Sequence, residues 1–299
     1  MPAKNRTSVR MRRVMLELRR LRIDAKIPGQ TVARKLGVSA SKISRMENFG
    51  QGLTRDALIE LLTLYQAPRK LREGLLRLHE KADDPSLMDR EELPVNVDAE
   101  NWIGLEQDAA TICNYENMLV PGLLQTFPYA RALFDVGEPR LSEQEKADRT
   151  NAKIARQDLL RRRTPLRLQV VLHEAALREI VGGTVVMRGQ LTHLLEMSRR
   201  SGVDLRVLPF GRGGHAGLSG SFVIMDYHDL PSLVLLENKV SDLYLEEKGD
   251  VDTYRLYWQD IRALAHEPEE SAALIKKIAR TLRLAEKGSG RDDLAEEHI

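Results

Sequence analysis

The chain has 299 residues, 42% of them hydrophobic and 30% charged, which is enough for two domains that each bury a core. Its single cysteine, Cys113, excludes an internal disulfide framework and a cysteine-based metal cluster, and it suits a reducing cytoplasm. No apolar run approaches the roughly 18 residues of a membrane span, and the arginine-rich N-terminus lacks a signal-peptide core, so a cytoplasmic protein is expected.

The net charge of +2 hides an asymmetry. Residues 1–80 hold 18 Lys and Arg against 7 Asp and Glu, whereas the remainder holds 28 against 37. A basic head on an acidic body predicts an anionic partner that touches only the head.

Residues 1–7 read as a mobile basic tail. From Ser8 to about Asp24, Val14, Leu18 and Leu21 form one apolar stripe, with Met11 and Met15 beside it. The opposite face carries Arg12, Arg13, Arg19, Arg20 and Arg22, to be read as a solvated face or as phosphate contacts. Residues 28–48, PGQTVARKLGVSASKISRMEN, then read as two short helices joined by a tight turn. Pro28 suits a first helical turn, and Val32, Ala33 and Leu36 mark a buried face. Gly37 stands where a helix must end in the left-handed region, and Ser39 can cap the next helix. Ile43 and Met46 face inward from that second helix. Ala40, Ser41, Lys42, Ser44 and Arg45 are left facing outward, a small, hydroxylated and cationic surface with no acid before Glu47. Such a face fits a DNA major groove. Thr54 caps a fourth helix over 55–65, and Pro68 opens a fifth to about Glu80.

With those residues in view, 8–80 resembles the xenobiotic-response-element class of helix-turn-helix regulators, related to the phage repressors. The run LGVSASKISRMENFG carries the likeness. The resemblance implies a reader helix whose Ser39, Ala40, Ser41, Lys42, Ser44 and Arg45 lie over base edges and phosphates, with Gln30 at the start of the preceding helix. Many members carry glutamine at the second position of the reader helix, able to pair with adenine. Here Ala40 offers only a methyl, so specificity leans on Ser41, Lys42, Arg45 and DNA shape.

Residues 81–100 contain seven acids and two prolines and read as an acidic linker. A second domain is expected over 101–286. Trp102, Leu105, Ala109 and Ile112 are helically spaced towards Tyr115, which places Cys113 on a helix as a small buried hydrophobe. Pro121 is expected to start another helix, and Ser142 to cap a long one to about Arg163. Strands follow at 166–173, 204–210, 221–227 and 232–238, with helices at 174–181, 184–200 (capped by Thr184), 250–266 and 269–286. Residues 287–299 read as a disordered tail. The fold class predicted is multidomain: an all-α five-helix helix-turn-helix domain, then an α/β domain with a small mixed sheet flanked by helices.

The segments WIGLEQDAATICNYENMLVPGLLQTFPYARALF, HEAALREIVGG, QLTHLLEMS, DLRVLPF and SGSFVIMD together resemble a large actinobacterial regulator family described as antitoxin-like. The resemblance implies a cytoplasmic transcriptional regulator, nucleoid-associated when DNA-bound. Genes of that kind often neighbour one for a small partner protein. The alternative it opens is an antitoxin-like chain that binds such a partner and regulates its own operon.

Other constellations carry less chemistry. The glycine-rich GRGGHAGLSG, 211–220, leads into a strand rather than a helix, so it is no nucleotide fingerprint. It reads as a hairpin or lid, or as a ligand or partner loop using Arg212 and His215. His173-Glu174 lacks the second histidine of a zinc-protease helix, and no metal or cofactor is expected. Glu174, Asp226 and Glu237, at strand ends, are candidates for a polar pocket. VPGLLQT reads as core, or as a partner surface or dimer seam. Nothing assembles a nucleophile, base and oxyanion site, so no catalytic residue is assigned. The function predicted is a sequence-specific regulator of double-stranded DNA, acting as a homodimer, with a second domain for dimerisation and ligand or partner sensing.

Overall fold

A computed structural model of the chain describes residues 9–80, 82, 105–162, 166–228, 230–237 and 242–296. The expected basic tail 1–7, the acidic linker 81–100 apart from Ala82, and Trp102 lie outside the described residues. The chain divides into two compact units, 1–108 with 227–233 and 237–247, and 109–226 with 234–236 and 248–299. No helix among the described residues is long and apolar enough to cross a membrane.

In the first unit five helices follow one another: α1 Val9–Asp24, α2 Gly29–Lys35, α3 Ala40–Phe49, α4 Arg55–Leu64 and α5 Arg69–Glu80. Their apolar stripes meet in one core, where Val14, Leu18, Val32, Leu58, Leu61, Leu62 and Leu75 are fully buried. Each such aliphatic side chain contributes about 1.5–3 kcal/mol relative to exposure. Helix α1 packs on α3, α4 and α5, and α2 on α3. The caps are those the sequence predicts. Ser39 Oγ accepts from the Lys42 N–H at 3.1 Å, and Thr54 Oγ1 from the Ala57 N–H at 3.2 Å. Pro28 takes the N-cap position itself, one residue before α2, and Leu36 is the half-buried C-cap.

The arginine face of α1 differs from expectation. Arg12 is only 2% exposed, and Arg10 and Arg13 are also buried. The Arg12 guanidinium lies 5.1 Å from the centre of the Tyr227 ring, donates to the Pro231 carbonyl at 2.7 Å, and approaches Glu246 at 3.7 Å. A buried guanidinium needs such partners, since leaving water uncompensated would be costly. Burial pushes the Tyr227 hydroxyl pKa up, and the nearby Arg12 charge pulls against it. Helix α1 therefore has two buried faces, and Arg19 and Arg20 are left at the surface. Amphipathic spacing could not show this, because the chain that covers Arg12 lies some 220 residues on.

The strands stand in the order β3-β2-β1-β4-β5-β6, with β1 Thr111–Glu116, β2 Arg167–His173, β3 Val203–Leu208, β4 Phe222–Asp226, β5 Leu233–Leu236 and β6 Leu243–Leu245. Strands β1, β2 and β3 are mutually parallel, and β4 runs antiparallel to β1, so the sheet is mixed as predicted. The crossovers between the parallel strands are helical: α6 Phe127–Gly137 and α7 Glu143–Ala155 between β1 and β2, then α8 Glu174–Arg178 and α9 Thr184–Met197 between β2 and β3. Helices α10 Lys248–Leu264 and α11 Pro268–Glu296 complete the chain.

Several expected elements are revised. Ile112 to Tyr115 form strand β1 rather than a helix, so Cys113 is a strand residue whose thiol donates to Gln169 Oε1 at 3.4 Å. Burial pushes that thiol up to about 12, leaving it inert. The helical spacing misled because Leu105 lies on a helical stretch, 105–108, that ends just before the strand. Pro121 opens only a 3-10 turn, Gly122–Leu124, and the helix starts after Thr126, which caps it. The long helix from Ser142 breaks into a 3-10 segment at Arg156–Arg161. Gly183 holds the cap position expected of Thr184, which is the first helical residue. Strand β6 was not foreseen, being three residues long. The last helix extends through Glu296, into residues read as tail, because good helix formers follow its two glycines.

The VPGLLQT segment is core. Val120, Pro121, Leu123, Leu124 and Gln125 are buried, and glutamines satisfy its backbone. Gln157 Nε2 donates to the Gln125 carbonyl, and Gln190 Nε2 to that of Leu124. Gln190 Oε1 accepts from the Thr126 N–H at 2.7 Å. A buried loop is tolerated only when its polar groups are paired in this way.

Candidate nucleic-acid interface

Helices α2 and α3 are joined by Leu36–Ser39. Gly37 sits at φ +62° and carries the turn, as its position predicts. Ile43 and Met46 face the core from α3. Gln30, Ser39, Ala40, Ser41, Lys42, Ser44 and Arg45 are all exposed, so the seven expected contact residues share the solvent side of the two helices. Among the described residues the Lys42 and Arg45 side chains form no ion pair. Arg34 and Lys35, at the end of α2, are also exposed and widen the cationic surface. Asn48 is exposed one turn after Ser44 and donates to its hydroxyl at 3.1 Å. Sequence reasoning left out Arg34, Lys35 and Asn48, although helical spacing from Lys42, Ser44 and Arg45 points to Asn48.

Glu47 is the acid of α3, and it turns away from this surface. It is 5% exposed, and both its carboxylate oxygens lie 2.9 Å from Arg22 Nε. Tyr65 donates its hydroxyl to Glu47 Oε1 at 2.7 Å. Burial, and then the Glu47 carboxylate, push the Tyr65 pKa far up, so the phenol stays a donor. One carboxylate thereby ties the end of α1 and the end of α4 to α3. The outward face of α3 carries only neutral or positive groups.

Arg212 and His215 belong to the second unit. The glycine-rich loop that holds them is no hairpin, because β3 and β4 are not neighbours. Strands in a sheet are about 4.8 Å apart, so the loop must travel three spacings, across the carboxyl ends of β2 and β1. His215 faces His173 at the end of β2, ring centres 6.0 Å apart. Arg212 is exposed. Glu174, beside His173, pairs with Arg178 and accepts from the Phe210 N–H at 2.9 Å. Asp226 pairs with Arg255 at the other end of the sheet, since β4 runs antiparallel. The acids proposed for one polar pocket therefore do not converge.

Residues 16–75 match a helix-turn-helix domain, and residues 100–277 match a domain of unknown function, DUF5753. The second match spans more than half of the chain. The chain belongs to the DUF5753 family. No curated protein and no solved structure matches it. In this DUF5753 protein the helix-turn-helix match includes all of α2 and α3, and a helix-turn-helix domain supports DNA binding.

Proposed function

We propose that this protein is a sequence-specific transcriptional regulator, a binding protein rather than an enzyme, that acts as a cytoplasmic homodimer on double-stranded DNA. In this reading α3 enters the major groove. Ser41, Lys42 and Arg45 meet base edges and phosphates, Ala40 supplies a methyl contact, and Arg34 and Lys35 approach the backbone. The α/β domain supplies dimerisation and a sensing role. The observation that carries the reading is the outward face of α3, cationic and hydroxylated, with its acid Glu47 turned inward to Arg22. A dimer follows from size, because one such reader buries too little surface for tight operator binding and a two-fold pair reads two half-sites.

The test is fluorescence anisotropy of the full chain on its own promoter and on scrambled DNA across a salt series. The expected result is selectivity of about a thousandfold with a steep salt slope. Equal, weak binding to both DNAs would count against the reading. Light scattering on the complex gives the stoichiometry, and one chain per operator would remove the dimer.

A further inference from the structure

Six ring contacts in the second unit join into one ladder: Phe210–His173–His215–Tyr115–Phe222–Tyr254–Tyr257, with centroid distances between 5.1 and 6.4 Å. Its first four members stand at the carboxyl ends of β1, β2 and β3 and in the loop that crosses them. Open α/β sheets take their ligands at that edge, where the strand order reverses. Here the reversal falls at β1, since the chain moves outward to β2 and β3 and then returns to β4 on the other side.

The chemistry of this edge is specific. Tyr115 is fully buried within the ladder, and burial pushes its hydroxyl up to about 12, so it is a neutral phenol. His173 Nδ1 accepts from the Ala175 N–H at 3.3 Å, which places its proton on Nε2. Burial, and then His215, hold its pKa below the usual value, so it is an uncharged imidazole at neutral pH. The acid at this edge, Glu174, is already committed to Arg178 and the Phe210 N–H. Glu116, next to Tyr115 on β1, projects from the other face of the sheet. Among the described residues His215 Nδ1 is buried with no hydrogen-bond partner, and the Arg212 guanidinium is exposed without an ion pair. Phe210 and Leu218, 54% and 68% exposed, stand on the same loop as uncovered apolar surface.

We propose that the loop 209–221 and the strand ends beneath it form a binding site for a planar aromatic anion. The ring lies against Phe210 and His173 beside Leu218, and the acidic group meets Arg212 above the His215 ring. Rings supply the wall, and the anion has the Arg212 cation to bind. The site gives the sensing role proposed above a place and a ligand class, and so rests on that reading.

The test uses the full chain without DNA, so its outcome is independent of the anisotropy experiment. Two fluorescent probes are compared: 8-anilinonaphthalene-1-sulfonate and its uncharged counterpart N-phenyl-1-naphthylamine. The expected result is one sulfonate dye bound per chain, with the uncharged dye about tenfold weaker, the size of one charge-assisted hydrogen bond. Arg212→Ala should bring the sulfonate dye down to the level of the uncharged one. Phe210→Ala should weaken both. Both side chains are exposed, so circular-dichroism melts of the variants should match the parent. Sulfonate-dye affinity unchanged in both variants would place the dye elsewhere and overturn the site. Equal affinity for the two dyes would overturn the anion requirement. No binding of either would overturn the proposal, leaving the edge as a surface for a protein partner.

Discussion

Arg22 on α1 and Glu47 on α3 form a two-point ion pair, with Nε 2.9 Å from each carboxylate oxygen. The pair sits behind α3 and sets its end against α1, while Tyr65 adds a third attachment from α4. Removing one partner of a buried pair leaves the other uncompensated. Glu47→Ala should therefore cost about 3 kcal/mol in urea unfolding. Tyr65→Phe should cost about 1.5 kcal/mol, one hydrogen bond to a charged group. A Glu47→Ala protein as stable as the parent would show that the pair does not hold α3.

Lys42 and Arg45 should separate by role. Arg45→Ala is expected to lower affinity for the operator by about 1–3 kcal/mol and leave scrambled DNA nearly unchanged, as loss of a base contact does. Lys42→Ala is expected to weaken binding to all sequences and to reduce the salt slope by about 1, as loss of a phosphate contact does. Unchanged affinity in both variants would take α3 out of the groove.

Gly217 allows the crossing loop to lie on Tyr115. A Cβ at this position would fall on the Tyr115 ring, inside any permitted contact, and the ring is buried and cannot retreat. Gly217→Ala should cost about 1–3 kcal/mol, the usual range for overpacking. Gly214 has open space around its Cβ direction, so Gly214→Ala should be neutral to within about 0.5 kcal/mol. Comparable losses in the two variants would indicate general loop effects rather than the Tyr115 contact.

Acid should weaken the α/β unit through two histidines. Burial holds the His173 and His193 pKa values below their usual value in the fold. As pH falls through the unfolded-state value of about 6.5, the unfolded chain takes up protons that the folded chain refuses. Stability therefore drops with acidification and levels off once pH is below the folded values. Urea midpoints between pH 7.5 and 5 should show this fall. His173→Asn keeps a capping side chain and should flatten part of it.

The outward face of α3 was legible from sequence because it depends on short-range rules. Ile43 and Met46 point inward by helical spacing, Gly37 and Ser39 mark the turn and cap, and Lys42 and Arg45 fall on the remaining face. Strand β1 was not legible. Residues 111–116 follow a helical stretch and show no clean alternation, because both faces of a central strand are buried. Loop composition alone singles out Arg212 and His215, and it gives no sign that His215 stands beside His173 and Tyr115.

Sequence by itself determined the five helices of the head, their caps, the outward identity of the α3 face, and the division of charge between head and body. Each of these rests on residues within a few positions of one another, where spacing and side-chain chemistry suffice. Tertiary structure decided that Glu47 is withdrawn from the outward face of α3 and Arg12 from solvent. It also decided that β4 returns beside β1, which carries the glycine loop over the strand ends. Those outcomes depend on partners 18 to more than 200 residues away, and chain-distant contacts leave no local periodicity to read.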